Sequence, residues 1–106
     1  MNKKQHKTRT TTGKAEYVLR LFITGSTPRS ARSIYNIRNF CDDRLHGRYK
    51  LEVVDIYQQP ELARQEQIIA APTLIKELPR PLRRLVGDLS DTERVVAGLD
   101  LKAEAV

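Results

Sequence analysis

AAPTLIKELPRPLRRLVGDLS, residues 70–90, decides the fold, because it is compatible with two different secondary structures. Its TLIKEL segment, residues 73–78, is apolar enough for a strand between prolines, and PLRRLVGDLS, residues 81–90, can form the returning strand. The leucine, lysine, glutamate and arginine residues of this stretch also favour a helix, although the prolines interrupt it. Local preference therefore does not select one structure here.

The segment that follows, SDTERVVAGLDL at residues 90–101, is equally ambiguous. Ser90 and Glu93 have the spacing of a capping box, which favours a helix that begins at this point. The two valines and Gly98 oppose a helix, because β-branched residues favour strands and glycine costs about 1 kcal/mol relative to alanine. In most foldable sequences, the local secondary-structure preference of each segment agrees with the overall fold. We therefore interpret the conflicting preferences of this segment as a sign of two accessible structures.

The first half of the chain has one clear interpretation. YVLRLFITG, residues 17–25, predicts a buried central strand, and YKLEVVDIYQ, residues 49–58, predicts a second strand. Between them, Thr27 is a suitable N-cap and Pro28 a suitable first residue for a helix, which Gly47 is expected to end. That helix carries an apolar stripe made of Ile34, Ile37, Cys41 and Leu45. A strand–helix–strand unit of this kind is right-handed and makes its two strands parallel.

A second helix is predicted to begin at Pro60 and to end before Pro72. Its short apolar face consists of Leu62, Ile68 and Ile69. With no internal repeat, these elements predict one domain over residues 15–101, and residues 102–106 are expected to be an exposed C-terminal end.

The positive charge is concentrated at the N-terminus. The formal net charge is +6, and five basic residues with no acid among them lie in residues 1–14. We expect this stretch to be a disordered basic tail. Because the excess positive charge belongs mostly to this tail, we do not expect the domain itself to bind nucleic acid. No apolar run is long enough for a membrane span or a secretory signal, so a cytoplasmic protein is expected.

The sequence shows no set of catalytic residues. A single cysteine, Cys41, excludes an internal disulfide and a cysteine-based zinc cluster. The two histidines of the chain, His6 and His46, do not have the spacing of metal ligands. The sequence also has no glycine-rich phosphate loop. GSTPRS, residues 25–30, precedes a helix, but one glycine followed by a proline is better explained by helix capping. We therefore predict no enzyme activity, no cofactor and no metal.

Four motifs together resemble the KaiB family over residues 17–101. They are YVLRLFITGSTPRS, VVDIYQQPELA, PTLIKELPRPLRRLVGDLS and GLDL, in this order and spacing. The resemblance implies a thioredoxin-like α/β fold of order βαβαββα, without the cysteine pair of thioredoxins. It also implies a cis-type turn at Pro72, and an alternative ground-state fold, βαββααβ, that differs in the second half.

The resemblance also implies a function. KaiB proteins are non-catalytic regulators that bind the ring ATPase KaiC in their thioredoxin-like state. In circadian clocks they also engage KaiA and output histidine kinases. A homo-oligomer, a dimer or tetramer, is expected for the ground state. The alternative is a thioredoxin-fold sensor or interaction module for another partner, such as a histidine kinase, without redox activity.

Site residues follow from the resemblance position by position. Gly98 and Asp100 match positions that bias the fold switch. Glu52 and Gln67 stand where clock proteins usually carry lysine, which leaves open whether the partner is a clock KaiC or a non-clock homologue. The positions that match partner-binding residues are Arg32, Lys50, Glu52, Thr73, Lys76 and Arg83.

Overall fold

The computed structural model describes residues 16–69, 71–87 and 89–99. Within these ranges the strands are β1 (Tyr17–Ile23), β2 (Tyr49–Asp55), β3 (Thr73–Leu78) and β4 (Arg83–Val86). The helices are α1 (Pro28–Arg44), α2 (Pro60–Gln65) and α3 (Thr92–Gly98). The order is βαβαββα, so the ambiguous second half forms strand, strand and helix here, and the alternative order is not adopted. The predicted basic tail, the C-terminal end and Asp100 lie outside the described residues.

The four strands form one sheet in the order β2-β1-β3-β4. β1 pairs in parallel with β2, as the strand–helix–strand unit predicts, and antiparallel with β3. β3 pairs antiparallel with β4, so β2 and β4 are the two edge strands. Both β1 and β3 are therefore central.

Helices cover both faces of the sheet and make two apolar clusters. The larger cluster joins α1 and α3 to one face and contains Leu21, Ile37, Leu85 and Leu99. The smaller cluster lies on the α2 face and contains Phe22, Val54 and Ile75, with Leu62 and Ile68 packed against it. Alternation along β1 sends successive side chains to opposite faces, which is why Leu21 and Phe22 belong to different clusters.

Helix α1 begins and ends as its sequence predicts. The hydroxyl of Thr27 accepts a hydrogen bond from the Ser30 amide at 3.0 Å, and Pro28 occupies the first turn. After the last turn, His46 has a φ of 51° and Gly47 a φ of 78°, which reverses the chain toward β2. Of the predicted stripe, Ile37, Cys41 and Leu45 are buried and Ile34 is partly buried.

Two local predictions are wrong. Helix α2 ends at Gln65, so Ile69 does not continue its apolar face and is 95% exposed. Helix α3 has Asp91 as its N-cap, not Ser90, and the Asp91 carboxylate accepts hydrogen bonds from the amides of Glu93 and Arg94. An aspartate at this position satisfies free amides as well as a serine does.

Three of the five prolines lie in the turns around β3. The peptide bond between Ala71 and Pro72 is cis, and so are the bonds that precede Pro79 and Pro81. The last two lie between β3 and β4, where the sequence predicts a turn. Across the described ranges, no helix combines the length and the apolar character that a membrane span requires.

Candidate partner-binding surface

The loop after β1 occupies the place of the cysteine pair of a thioredoxin, and hydroxyl groups hold it together. The Ser30 hydroxyl donates to the Thr24 carbonyl at 3.3 Å and accepts from the Thr27 hydroxyl at 2.9 Å. The Gly25 amide donates to Asp55 Oδ1 at 3.0 Å, which ties the loop to the end of β2. Hydroxyl groups and the Asp55 carboxylate therefore hold this loop, rather than the sulfur atoms of a cysteine pair.

The single cysteine lies away from this loop and is chemically quiet. Cys41 is on α1 and buried in the larger cluster. Burial raises the pKa of its thiol from 9.0 to about 12, and the neighbouring Asp42 carboxylate adds to this effect. Since the thiolate is the reactive form, this raised pKa makes Cys41 a poor nucleophile near neutral pH. Nor do the described residues contain a group of three or more His, Cys, Asp or Glu side chains that could hold a metal ion.

Lys50 and Glu52 are exposed on the edge strand β2 and point to the α2 face. Glu52 Oε1 lies 3.4 Å from Arg20 Nε in the adjacent strand β1. Arg20 also lies 3.4 Å from Glu66 and 3.1 Å from Glu77. We call these four residues, Arg20 with its three glutamates, the Arg20 cluster. The cluster itself holds one positive and three negative charges, with Lys50 beside it on the same face of β2.

The resemblance did not indicate Arg20 or Arg84. Arg84 donates to the backbone carbonyls of Glu66 at 2.8 Å and Gln67 at 3.2 Å. It thereby holds the turn after α2, in which Gln67 has a φ of 58°. For Arg20, the signal in the sequence is the composition of β1, in which Arg20 is the one charged residue among apolar ones.

Two of the predicted contact residues are not on the surface. Thr73 and Lys76 are each 1% exposed, because β3 is a central strand with helices over both faces. A partner cannot reach these side chains in this conformation. The prediction that they contact a partner directly is therefore corrected for this fold.

The remaining predicted residues do not form one patch. Arg32 is exposed on α1, whereas Arg83 is exposed on the edge strand β4, at the opposite side of the sheet from β2. Gly98 is the last residue of α3 and packs against Leu85 of β4; a Cβ atom there would lie 2.9 Å from Leu85 Cδ1. Of the predicted contact residues, the structure thus brings together only Lys50 and Glu52, and Glu52 is ion-paired with Arg20.

The geometry defines a class of protein: a thioredoxin-like domain without the thiol pair. The N-terminal domain of SasA from Synechococcus elongatus has this fold, with a TM-score of 0.68 and 20% identity over 93% of this chain and 96% of that one. Mitochondrial thioredoxin 3 from Saccharomyces cerevisiae has a TM-score of 0.63 and 12% identity over 80% of this chain and 77% of that one. At these identities the likeness concerns the fold alone.

Sequence comparison identifies the family. The KaiB domain model matches residues 20–101. A circadian clock oscillator protein KaiB from Rippkaea orientalis is 45% identical over 93 residues, which cover 88% of this chain and 89% of that protein. The chain belongs to the KaiB family, as its motifs predict.

Proposed function

We propose that this chain is a non-catalytic regulator that binds a KaiC-like ring ATPase in a circadian clock or a related timing or stress system. The observation that carries the proposal is the conformation of its second half. β3, β4 and α3 adopt the thioredoxin-like order, which is the state that the family resemblance links to binding of the ring. The clock names of its relatives support the same role.

The proposed contact residues are exposed charges at separate places on the domain. Arg32 and Arg83 are exposed, and Lys50 and Glu52 are exposed on an edge strand. Charges at the rim of an interface act mainly on the association rate and on its salt dependence. We therefore expect binding of the ring to weaken as salt rises.

Co-elution with a KaiC-type hexamer in size exclusion tests the proposal. Arg32→Glu and Arg83→Glu should each reduce co-elution while the circular dichroism spectrum stays that of the parent. Arg64→Glu is the matched control, because Arg64 is 69% exposed at its side chain and lies outside the proposed surface. No complex with any KaiC-type ring, together with co-elution with a histidine kinase, would favour the sensor-module alternative.

The acidic Arg20 cluster supports a partner other than a cyanobacterial clock ATPase. Glu52 contributes one of its three carboxylates, at a position where the family resemblance leads us to expect lysine. Glu52→Lys should therefore shift binding toward a cyanobacterial KaiC and away from the natural partner. A variant that binds both rings as the parent does would remove Glu52 from the specificity-determining residues.

We further propose that the second half switches fold and that the ground state is a dimer or tetramer. Gly98 and Asp100 are the proposed switch positions. Chemical shifts of residues 90–101 should report a strand in the free oligomer and a helix in the ring complex. Helical shifts in both states, together with a monomeric mass for the free protein, would contradict the switch.

A further inference from the structure

Two adjacent clefts follow α1 where it faces the segment ahead of α3. The cleft at the N-terminal half of the helix has a volume of about 530 Å³ and is lined by Arg29 and Arg32. The cleft at the C-terminal half has a volume of about 520 Å³ and is lined by Asp42 and Asp43. Asn36 lines both clefts, so they adjoin. We call the two together the α1 groove; it is basic at one end and acidic at the other.

The charges of this groove are not consumed by ion pairs. Within residues 16–69, 71–87 and 89–99, neither the two arginines nor the two aspartates take part in a salt bridge. Asp42 accepts one hydrogen bond, from the Tyr49 hydroxyl at 2.7 Å, and Asp43 accepts none from a described side chain. The side-chain amides of Asn36 and Asn39 likewise have no protein partner among these residues. The groove therefore offers charges at its ends and amide groups between them.

The stability of α1 does not explain this arrangement. The N-terminus of a helix favours negative charge and its C-terminus favours positive charge. At this surface helix α1 has the opposite pattern, since Arg29 lies in its first turn, which contains no acid, and Asp43 lies near its end; Arg44, in the last turn, is the one charge there that the helix favours. A charge so placed is unfavourable for the helix rather than stabilising. A ligand that pairs with both ends accounts for charges that the helix itself does not favour.

The charge pattern selects the chemistry of the ligand. A polyanion such as a nucleic acid is repelled by the aspartates, and a uniformly basic segment is repelled by the arginines. A protein segment with one charge of each sign fits both ends, and its backbone can pair with the asparagine amides. Arg32 and Asp43 are 11 positions apart, about 16 Å along a helix, which an extended chain spans in about five residues.

We propose that the α1 groove binds an extended segment of a partner protein with an acidic residue and a basic residue about five positions apart. The groove shares Arg32 with the residues proposed to contact the ATPase. The proposal goes beyond ring binding because neither aspartate is among those residues. It is therefore tested on the full chain alone, without any ring protein.

The probes are fluorescein-labelled ten-residue peptides in which an aspartate and a lysine are separated by four neutral polar residues, in both chain directions. Fluorescence anisotropy should show that at least one direction binds. Peptides with the two charges adjacent should bind at least three-fold more weakly. Asp43→Lys should weaken binding of the five-residue-spaced peptide about five-fold and should instead favour a peptide with two aspartates at that spacing.

Glu61→Lys is the matched control, because it makes the same change of charge at an exposed residue of α2 outside the groove. It should leave peptide affinity and spacing preference as in the parent. Equal losses for Asp43→Lys and Glu61→Lys, or affinities that do not depend on charge spacing, would show only net-charge attraction and would overturn the proposal. Absence of binding by every peptide would overturn it too, and would leave ring binding, measured separately, unaffected.

Discussion

Replacing Gly98 with alanine tests how α3 packs on the sheet. Gly98 has no left-handed φ and is the last residue of α3, so alanine is compatible with its backbone. Alanine is more favourable than glycine in a helix by about 1 kcal/mol. The added Cβ atom, however, would lie 2.9 Å from Leu85 Cδ1, so this methyl group must move.

The two effects are expected to cancel in the parent. Leu85 is 9% exposed and belongs to the larger apolar cluster, so its methyl group can move only by rotation of the side chain. A rotation of roughly 30° from a preferred rotamer costs about 0.5–1.5 kcal/mol. Gly98→Ala should therefore change the free energy of unfolding by less than about 0.5 kcal/mol.

A double-mutant cycle with Leu85→Val separates the two effects. Valine has no Cδ atoms, so the conflict disappears, although the substitution itself should cost about 1 kcal/mol. In this background Gly98→Ala should stabilise the protein by about 1 kcal/mol in urea unfolding followed by circular dichroism. Additive effects, within about 0.5 kcal/mol, would refute the reasoning from the Leu85 contact.

Four further predictions concern stability. Asp91→Ala should lower the free energy of unfolding by about 1 kcal/mol, and Ser90→Ala by less, in urea unfolding; equal losses would contradict the assigned N-cap. Because burial raises the pKa of Cys41 from 9.0 to about 12, the folded protein retains a proton that the unfolded chain releases, so stability should fall between these pH values and fall less in Cys41→Ala. Arg20→Met should destabilise the protein by about 1–3 kcal/mol, because it leaves three carboxylates close together, and added salt should reduce the loss; a salt-independent loss would indicate packing instead. Deletion of residues 1–14 should leave the melting temperature unchanged, and a fall of many degrees would show that this segment packs on the domain.

The first half of the fold could be predicted because its signals are local. The apolar run of β1, the Thr27 cap with Pro28, and the glycine turn at Gly47 each act within a few residues. All of them agree on one strand–helix–strand unit, which the structure confirms. The second half has no such agreement, and its structure depends on tertiary contacts. β3 pairs with β1, and Leu85 and Leu99 reach the same cluster as α1.

The candidate site was harder to predict than the fold, because exposure depends on strand position in the sheet. Thr73 and Lys76 are polar and were expected on the surface, but β3 lies between β1 and β4 and is covered on both faces. Sequence distance also hid the ion pairs, since Arg20 meets Glu66 and Glu77 from 46 or more positions away. Neither strand order nor pairing register can be read from local periodicity.

The loop after β1 explains how this domain retains a thioredoxin-like frame without thioredoxin chemistry. The register pairs Phe22 with Thr73, so the turn at Pro72 adjoins the end of β1 where the loop begins. In that place Ser30 bonds to Thr24 and Thr27, and the Thr27 hydroxyl caps the helix. These hydroxyl groups satisfy the backbone groups that would otherwise be free at the start of α1, and they do not react with disulfides. The loop is therefore built for rigidity, which is what a binding surface needs from its supporting frame.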